Sequence, residues 1–464
     1  MAYDRLRQLT HQFIDYFYDE VEPDTRDGHP IEVLDEQTKE EILSKDFTAE
    51  GKDPAEVMNF LTDKVMRYRN KGEHPRNFTF IPGPVQEEGR LASLITDYYN
   101  ANAVSHYIAS GPLAAEQAVI NLLCQKAGFP SSAMGIFVPG GSSANMSAAI
   151  IGRDSRLSLE EITKGVVYIS NQAHYSVNKG LHITGIPDDR IRRVETNESF
   201  QIIPESLEAM IKEDLDKGFK PYMVIATAGT TNAGVIDPLS EIGDIAEKYN
   251  LWFHVDGAFG ASVLFSKTHA HLLNGVSKAD SLTWDGHKWL FQTYSCAMLL
   301  VKDRKPMLQS FSYSPEYLAD AQADFEINPW DISFELSHPA RGIKLWYTLM
   351  TLGLDKISDM IDRGFQNGEW VQELIQDKPH WEIITPAQLG VINFRYVKEG
   401  ASLEELNRIN ALLSEKMNDS HYAHIVTTQL AGKTVLRIVA LSPETTREDL
   451  VRVIEMFENW IGEL

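Results

Sequence analysis

The sequence predicts an α/β fold in which a mostly parallel sheet, covered on both faces by helices, precedes a smaller α+β end domain. Three observations carry this reading. From about residue 112 to 302, apolar runs of strand length alternate with helical patterns. Those runs are apolar throughout rather than at every second position, the pattern of strands buried on both faces. After the helical stretch at about 341–374 the order changes to strands mixed with helices in a shorter segment.

The elements follow in order. Residues 1–70 are helical in pattern and rich in acids, and Ala55-Glu56-Val57-Met58-Asn59-Phe60-Leu61 begins an apolar stripe at helical spacing. Such a stripe needs something to pack on, and a partner subunit is one candidate. Gly135–Val138 reads as a strand and Ser143–Ile151 as a helix. Val166–Ile169 is the next strand, followed by a helix from about Tyr175. Ile191–Val194 is a third strand, and Pro204 opens a helix that ends near Gly218. Tyr222–Ala226, Leu251–Val255 and Ala297–Val301 are further strands, with a helix starting at Pro238. In the end piece, strands near Gly390–Val397 and Val435–Val439 mix with helices at 403–416 and 446–462. The expected division is a helical arm over 1–70, a large domain over 71–350 and a small domain over 351–464.

Composition narrows the function classes. At 464 residues the chain buries a full core without staples. Acids outnumber bases, for a formal net charge of −23, which argues against nucleic acid or an anionic membrane as partner. No apolar run approaches the roughly 18 residues of a membrane span. Two cysteines, Cys124 and Cys296, are too few for a disulfide framework or a zinc cluster, and no metal is expected. They read as buried thiols in a reducing cytoplasm.

The chemistry sits at the carboxyl ends of the strands, where open α/β sheets bind ligands. Pro139-Gly140-Gly141-Ser142-Ser143-Ala144-Asn145 is a glycine-rich turn entering a helix. Its glycines let backbone approach an anion, and helix N–H groups with hydroxyls hold a phosphate. A tight strand-to-helix turn explains it equally well, and it is neither a Walker motif nor a dinucleotide fingerprint. Asn171-Gln172-Ala173-His174 follows the second strand, and its histidine is a structural residue or a ring neighbour. Asp256, at the end of an apolar strand, is costly unless paired, and wants a cationic partner such as a protonated ring nitrogen. Trp284-Asp285-Gly286-His287-Lys288-Trp289 places a lysine between aromatics, a setting that desolvates its amine and makes a nucleophile toward aldehydes. Phosphate turn, ring neighbour, buried acid and activated lysine together are what pyridoxal phosphate requires.

The order of these pieces resembles the group II pyridoxal-phosphate decarboxylases, the family of aromatic L-amino acid, glutamate and histidine decarboxylases. The likeness runs from about His74-Pro75-Arg76 to the last helix, and is most specific around Lys288 with His254-Val255-Asp256 upstream. Phe80-Ile81-Pro82-Gly83-Pro84, Thr227-Ala228-Gly229-Thr230-Thr231-Asn232 and Lys288-Trp289-Leu290-Phe291-Gln292-Thr293-Tyr294 are similar to bacterial tryptophan decarboxylase-like members. The resemblance implies an aspartate aminotransferase-like fold (fold type I), a homodimer with an arm that wraps the partner, and pyridoxal 5′-phosphate as cofactor.

Roles carried over by the resemblance are these. Lys288 binds the cofactor with His287 beside it, Asp256 protonates the pyridine nitrogen, Ala258 touches the ring and His174 stacks on the opposite face. Ser142 and Ser143 bind phosphate, and Thr231 lies near the ring. Many members have asparagine where this chain has Asp285, and an acid beside phosphate is repulsive, so no direct contact is expected there. The implied reaction is α-decarboxylation of an amino acid to the amine and carbon dioxide.

The family commonly protonates Cα with a loop tyrosine, three residues before a tryptophan in animal aromatic decarboxylases. Here that tryptophan is Trp330 and the residue three before it is Ile327; Phe325 is the nearest aromatic. Tyr313 and Tyr317 remain, and Tyr317 is the candidate donor, with a packing role at the loop hinge as the alternative. Loss of this tyrosine in relatives permits oxidative deamination to an aldehyde. For substrate, the resemblance implies a pocket of Phe80, Asn102, Ile108, Trp330 and Leu336, mostly apolar or aromatic and suited to an aromatic side chain. Phe80 stands where glutamate enzymes tend to carry glutamine, whereas Asn100-Ala101-Asn102 resembles a stretch of those enzymes. Arg341 binds loop carboxylates or lies on a solvated face. The leading expectation is an aromatic L-amino acid decarboxylase. An aldehyde synthase, a decarboxylase of another amino acid such as glutamate, a cofactor-storage or scaffold protein and a nucleotide-binding α/β protein are the alternatives.

Overall fold

The computed structural model describes residues 2–81, 83–312 and 327–463, so Tyr313, Tyr317 and Phe325 lie outside the described residues. Seven described strands form the main sheet: β1 (Met134–Val138), β2 (Gly165–Ser170), β3 (Ile191–Val194), β4 (Lys220–Thr227), β5 (Trp252–Asp256), β6 (Ser281–Asp285) and β7 (Ala297–Val301). Their spatial order is β1-β7-β6-β5-β4-β2-β3. Neighbours from β6 to β3 run parallel. The unbroken apolar runs are explained by where alternate residues go. Val166 and Tyr168 enter one core cluster, Val167 and Ile169 the other, and Val224 and Ile225 divide in the same way. Each such aliphatic side chain contributes roughly 1.5–3 kcal/mol on burial, which makes the two sheet faces the main source of stability.

Strand β7 is the exception to the parallel order, pairing antiparallel with both β6 and β1. Asp285 and Ala297 are opposite one another at the turn between β6 and β7. A parallel return needs a crossover of about a dozen residues or more, and the chain between these two is too short to make one. The short helix Gly286–Trp289 fills this turn, so the Lys288 segment is held at the carboxyl edge of the sheet. The motif around Lys288 marks this strand end in the sequence, but Ser281–Asp285 lacks the apolar run that would delimit the strand.

A second sheet, of order β10-β11-β9-β8, is antiparallel: β8 (Trp381–Gln388), β9 (Val391–Tyr396), β10 (Val426–Leu430) and β11 (Lys433–Val439). Helices Leu403–Asp419 and Arg447–Gly462 cover it, and Phe78 from the N-terminal half packs into its core with Phe394, Leu436 and Phe457. The helix Ile343–Ile375 links the two sheets and is broken at Gly353, whose φ of 76° and ψ of 162° leave the helical region. The N-terminal helices Ala2–Tyr16, Glu22–Asp27, Glu36–Leu43 and Pro54–Phe60, the last continued by the helical turn Leu61–Met66, leave apolar side chains on the outside of the single chain, with Phe13, Val57, Leu61 and Met66 all exposed. No helix among the described residues is long and apolar enough to cross a membrane.

Candidate active site

The carboxyl ends of β1, β2, β4, β5 and β6 converge on one cavity of about 240 Å³. Its lining includes Ser142, His174, Thr231, Asp256, Ala258, His287 and Lys288, all expected from sequence. Ser143, the third residue of the helix Gly141–Arg156 after β1, is half-buried but does not line it. The five residues expected to contact substrate are placed elsewhere within the chain. Phe80, Asn102, Ile108 and Leu336 are exposed and Trp330 is buried, and none lines the cavity. The Asn102 side chain is engaged, its oxygen accepting the His338 N–H at 3.0 Å.

Each element delivers its side chain for a local reason. The helix Gly141–Arg156 starts at the cavity, so its N-terminal dipole end and the Ser142 hydroxyl face the space. A Cβ on Gly141 would sit 3.2 Å from the Ala258 methyl, so glycine keeps this turn and the β5 end in close approach. His174 caps the helix Tyr175–Ile183, its Nδ1 accepting the Ser176 N–H at 3.3 Å. Burial, and next the nearby Lys288 charge, push its pKa below the usual histidine range. Asp256 ends β5 nearly buried, with Oδ1 accepting the Ala258 N–H at 3.1 Å and Oδ2 accepting from Asn145 Nδ2 at 2.9 Å. Asn145 is in turn bonded to His254, which burial pushes down to about 4 and so keeps neutral.

Lys288 is reached in a way the sequence did not indicate. Trp284 and Trp289 do not wall its amine but enter the core. Trp284 donates to Ser262 Oγ at 3.1 Å, and Trp289 stacks on Phe259 with centroids 5.1 Å apart. Lys288 itself turns into the cavity. Asp285 is buried and lines the cavity. Its carboxylate turns toward donors: Oδ2 accepts the Gly141 N–H at 3.1 Å, Oδ1 accepts the His287 N–H at 3.1 Å and lies 2.7 Å from His287 Nδ1. Arg341 is not a solvated residue either: it is buried, donates to both Glu335 oxygens and lies 3.2 Å from His338, which holds Glu116. The two cysteines are buried, and burial pushes both thiols up to about 12.

Sequence reasoning missed Asn145, Ser176, Thr227, Gly229 and Phe259, all of which line the cavity. For Asn145 a signal existed, since it lies one helical turn after Gly141 on the same face. The small sheet also reaches the site: Arg437 on β11 donates to the Thr231 carbonyl at 3.1 Å, and burial pushes its guanidinium down to about 10. Among the described residues no cluster of three or more His, Cys, Asp or Glu side chains is arranged to hold a metal ion.

This donor set fits pyridoxal phosphate. A buried carboxylate bonded to the Asn145 amide and the Ala258 N–H suits a protonated ring nitrogen, a helix N-terminus with a hydroxyl suits a phosphate, and an imidazole and a methyl line the same cavity as a lysine. The comparisons agree. A family model described as the pyridoxal-dependent decarboxylase conserved domain matches residues 37–397. An aromatic-L-amino-acid decarboxylase of Bacillus atrophaeus is 34% identical over 98% of this chain and 95% of its own. Tryptophan decarboxylase 2 of Oryza sativa subsp. japonica is 27% identical over 96% of this chain and 92% of its own. A crystal structure of Oryza sativa TDC with PLP and tryptamine has the same fold, with a TM-score of 0.93 at 22% identity over 99% of this chain and 98% of that one. Fold, cavity and family model coincide, and the chain belongs to the pyridoxal-dependent decarboxylase family.

Proposed function

We propose that this protein decarboxylates an aromatic L-amino acid, of the tryptophan, phenylalanine or tyrosine type, to its amine and carbon dioxide. The observation that carries this reading is the convergence of Lys288, Asp256 and His174 on one cavity in a chain 34% identical, over nearly its whole length, to an aromatic decarboxylase. Bound there, pyridoxal phosphate supplies a conjugated ring that accepts the electron pair left at Cα when carbon dioxide departs. The protein's residues do the rest. Lys288 holds the cofactor through its amine. Asp256 keeps a proton at the ring nitrogen, for which its carboxylate is already oriented by two N–H donors. His174 and Ala258 cover the two ring faces and exclude water. Ser142 holds the phosphate with Ser143 behind it in the same helical turn, His287 stands beside Lys288, and Thr231 bounds the ring edge. Tyr317 donates the proton to Cα.

The assembly we assign is a homodimer, supported by the exposed apolar face of the 1–70 arm and by the exposed Phe80, Ile108 and Leu336, which a second copy would cover. Phe80, Asn102, Ile108, Trp330 and Leu336 would then form the side-chain pocket. We divide the chain at about residues 70 and 350 into arm, cofactor domain and small domain, and place it in the cytoplasm, where its two thiols stay reduced.

A second reading rests on Ile327. It occupies the position of the family's loop tyrosine and packs against the cluster of Ile136 and Val138. Without a proton donor at Cα, oxygen and water would convert the substrate to aldehyde, ammonia, carbon dioxide and hydrogen peroxide. One experiment separates the readings. Purified protein with pyridoxal phosphate is incubated with the twenty amino acids and three hydroxylated aromatics, and products are read by mass spectrometry. Tryptamine, tyramine or phenethylamine, absent with Lys288→Ala, supports decarboxylation. Aldehyde with ammonia and peroxide supports the synthase, and an amine from glutamate or aspartate overturns the aromatic assignment.

A further inference from the structure

We propose that Asn145 is a positioning residue whose one amide group orients both Asp256 and His174, with its own orientation dictated by a one-way chain of hydrogen bonds from Trp252. The proposal rests on the cofactor role given above to Asp256.

The direction of each bond follows from what each group can do. An indole N–H only donates, and Trp252 Nε1 donates to Ser281 Oγ at 2.9 Å. The Ser281 hydroxyl proton is then free for His254 Nδ1, 2.8 Å away. His254 is neutral, so with Nδ1 accepting, Nε2 carries the ring proton. Nε2 lies 3.0 Å from Asn145 Oδ1, and Thr283 Oγ1 donates to the same oxygen at 2.7 Å. Two donors therefore fix which end of the amide is oxygen, an assignment that rests on the network. The Nδ2 end is left to face Asp256 Oδ2 at 2.9 Å and Ser176 Oγ at 3.4 Å.

The second branch is equally determined. A backbone N–H only donates, and that of Ser176 points to His174 Nδ1, so this nitrogen is an acceptor. The Ser176 hydroxyl, 2.8 Å from it, gives its proton there and keeps its lone pairs for Asn145 Nδ2. His174 is thereby held with its ring proton on Nε2. One amide thus ties the acid at the end of β5 to the imidazole at the end of β2. It does so with neutral groups, leaving the Asp256 charge uncompensated for the cofactor's ring nitrogen.

The test uses the full-length protein, freed of cofactor and titrated with pyridoxal phosphate by its visible absorption, with melting curves for folding. Asn145→Thr and Asn145→Val have the same shape and differ by a hydroxyl donor. The valine variant is expected to weaken cofactor binding about tenfold or more, and the threonine variant to recover most of it, as for a hydrogen bond to a charged group. The pH dependence of the bound cofactor's visible band should shift with valine and return with threonine, which lost packing alone would not do. Equal behaviour of the two variants, or wild-type binding by the valine variant, overturns the proposal. If Asn145→Val does not fold, Thr283→Val decides: a weakening of roughly threefold is expected from losing one donor to Oδ1, and no change overturns it. Asp256→Asn is the reference. If it binds with an unaltered band, the cofactor reading of Asp256 fails; if it is impaired while Asn145→Val is not, only the role of Asn145 fails.

Discussion

Asp285, at the end of β6, accepts the backbone N–H of Gly141, which opens the helix after β1, with Oδ2 3.1 Å from the nitrogen. Its other oxygen caps the turn that carries Lys288 through the His287 N–H. A single buried carboxylate therefore ties the glycine-rich turn to the lysine turn, two segments that are far apart in sequence.

Replacing Asp285 separates its two effects. Asp285→Ala loses both backbone bonds and should destabilise the cofactor-free protein by about 1–3 kcal/mol in thermal or urea unfolding. Asp285→Asn keeps one acceptor and removes a negative charge beside the phosphate turn. It should bind pyridoxal phosphate as tightly as wild type or more tightly, while its cofactor-free form melts between wild type and Asp285→Ala. Weaker binding by Asp285→Asn would show that the charge itself serves the site.

Gly83 should be intolerant of a side chain. A Cβ there would lie 2.1 Å from the His287 carbonyl oxygen, a backbone atom of the lysine turn. Gly83→Ala must push that turn away, at a cost of about 1–3 kcal/mol for overpacking. Its cofactor affinity should fall more than its melting temperature suggests, because the displaced atoms are those next to Lys288. Parallel cofactor titrations and melts check this, and unchanged affinity would mean that the turn yields freely.

The acid limb of stability should depend on His74. This ring is fully buried, with Nδ1 accepting the Arg76 N–H at 2.9 Å and Nε2 3.0 Å from the Gly28 carbonyl. Burial, aided by Arg76, pushes its pKa from 6.5 down to about 4. Between those values the unfolded chain binds the extra proton, so stability is present above pH 6.5 and is lost as pH falls toward 4. His254 acts with the same sign, and Asp237, raised by burial to about 6, with the opposite sign over the lower part of the window. His174 and His424, also lowered by burial, act in the direction of His74, and Asp280 and Asp331, also raised by burial, in the direction of Asp237. His74→Gln should reduce the stability difference between neutral and acid pH by about 2 kcal/mol in urea unfolding at several pH values. An unchanged slope would refute the assignment.

Tyr317→Phe bears on the proton donor. If Tyr317 protonates Cα, the variant should lose most amine formation and release aldehyde, ammonia and peroxide in its place, read by mass spectrometry and a peroxide assay. Amine formation within about threefold of wild type would return Tyr317 to a packing role, since general acids commonly contribute about a hundredfold or more.

Much of the site was legible because apolar strands announce their own ends. Asp256 closes such a run and His174 comes shortly after one, and the cavity opens at both, whereas Lys288 follows Ser281–Asp285, which has no apolar run and was marked by its flanking motif instead. Strands β8 and β10 were not read. Both are edges of the small sheet, only partly buried, and β8 carries Pro386, which an edge strand tolerates. Their sequences lack the unbroken apolar run that identified the others.

What the sequence by itself determined is local: which segments form buried strands, which residue types end them, and, through a specific arrangement of motifs, the family. Only the tertiary structure decided which strand ends are neighbours. Strand order brings Asn145 to Asp256 across 111 residues and Gly141 to Asp285 across 144. It also turned β7 antiparallel, drew Trp284 and Trp289 away from Lys288, and left Phe80, Ile108 and Leu336 outside the cavity. Periodicity and composition report the environment along a few turns of chain. Hydrogen-bond direction and charge compensation depend on which groups lie within about 3 Å, and that distance is set by how the strands are ordered.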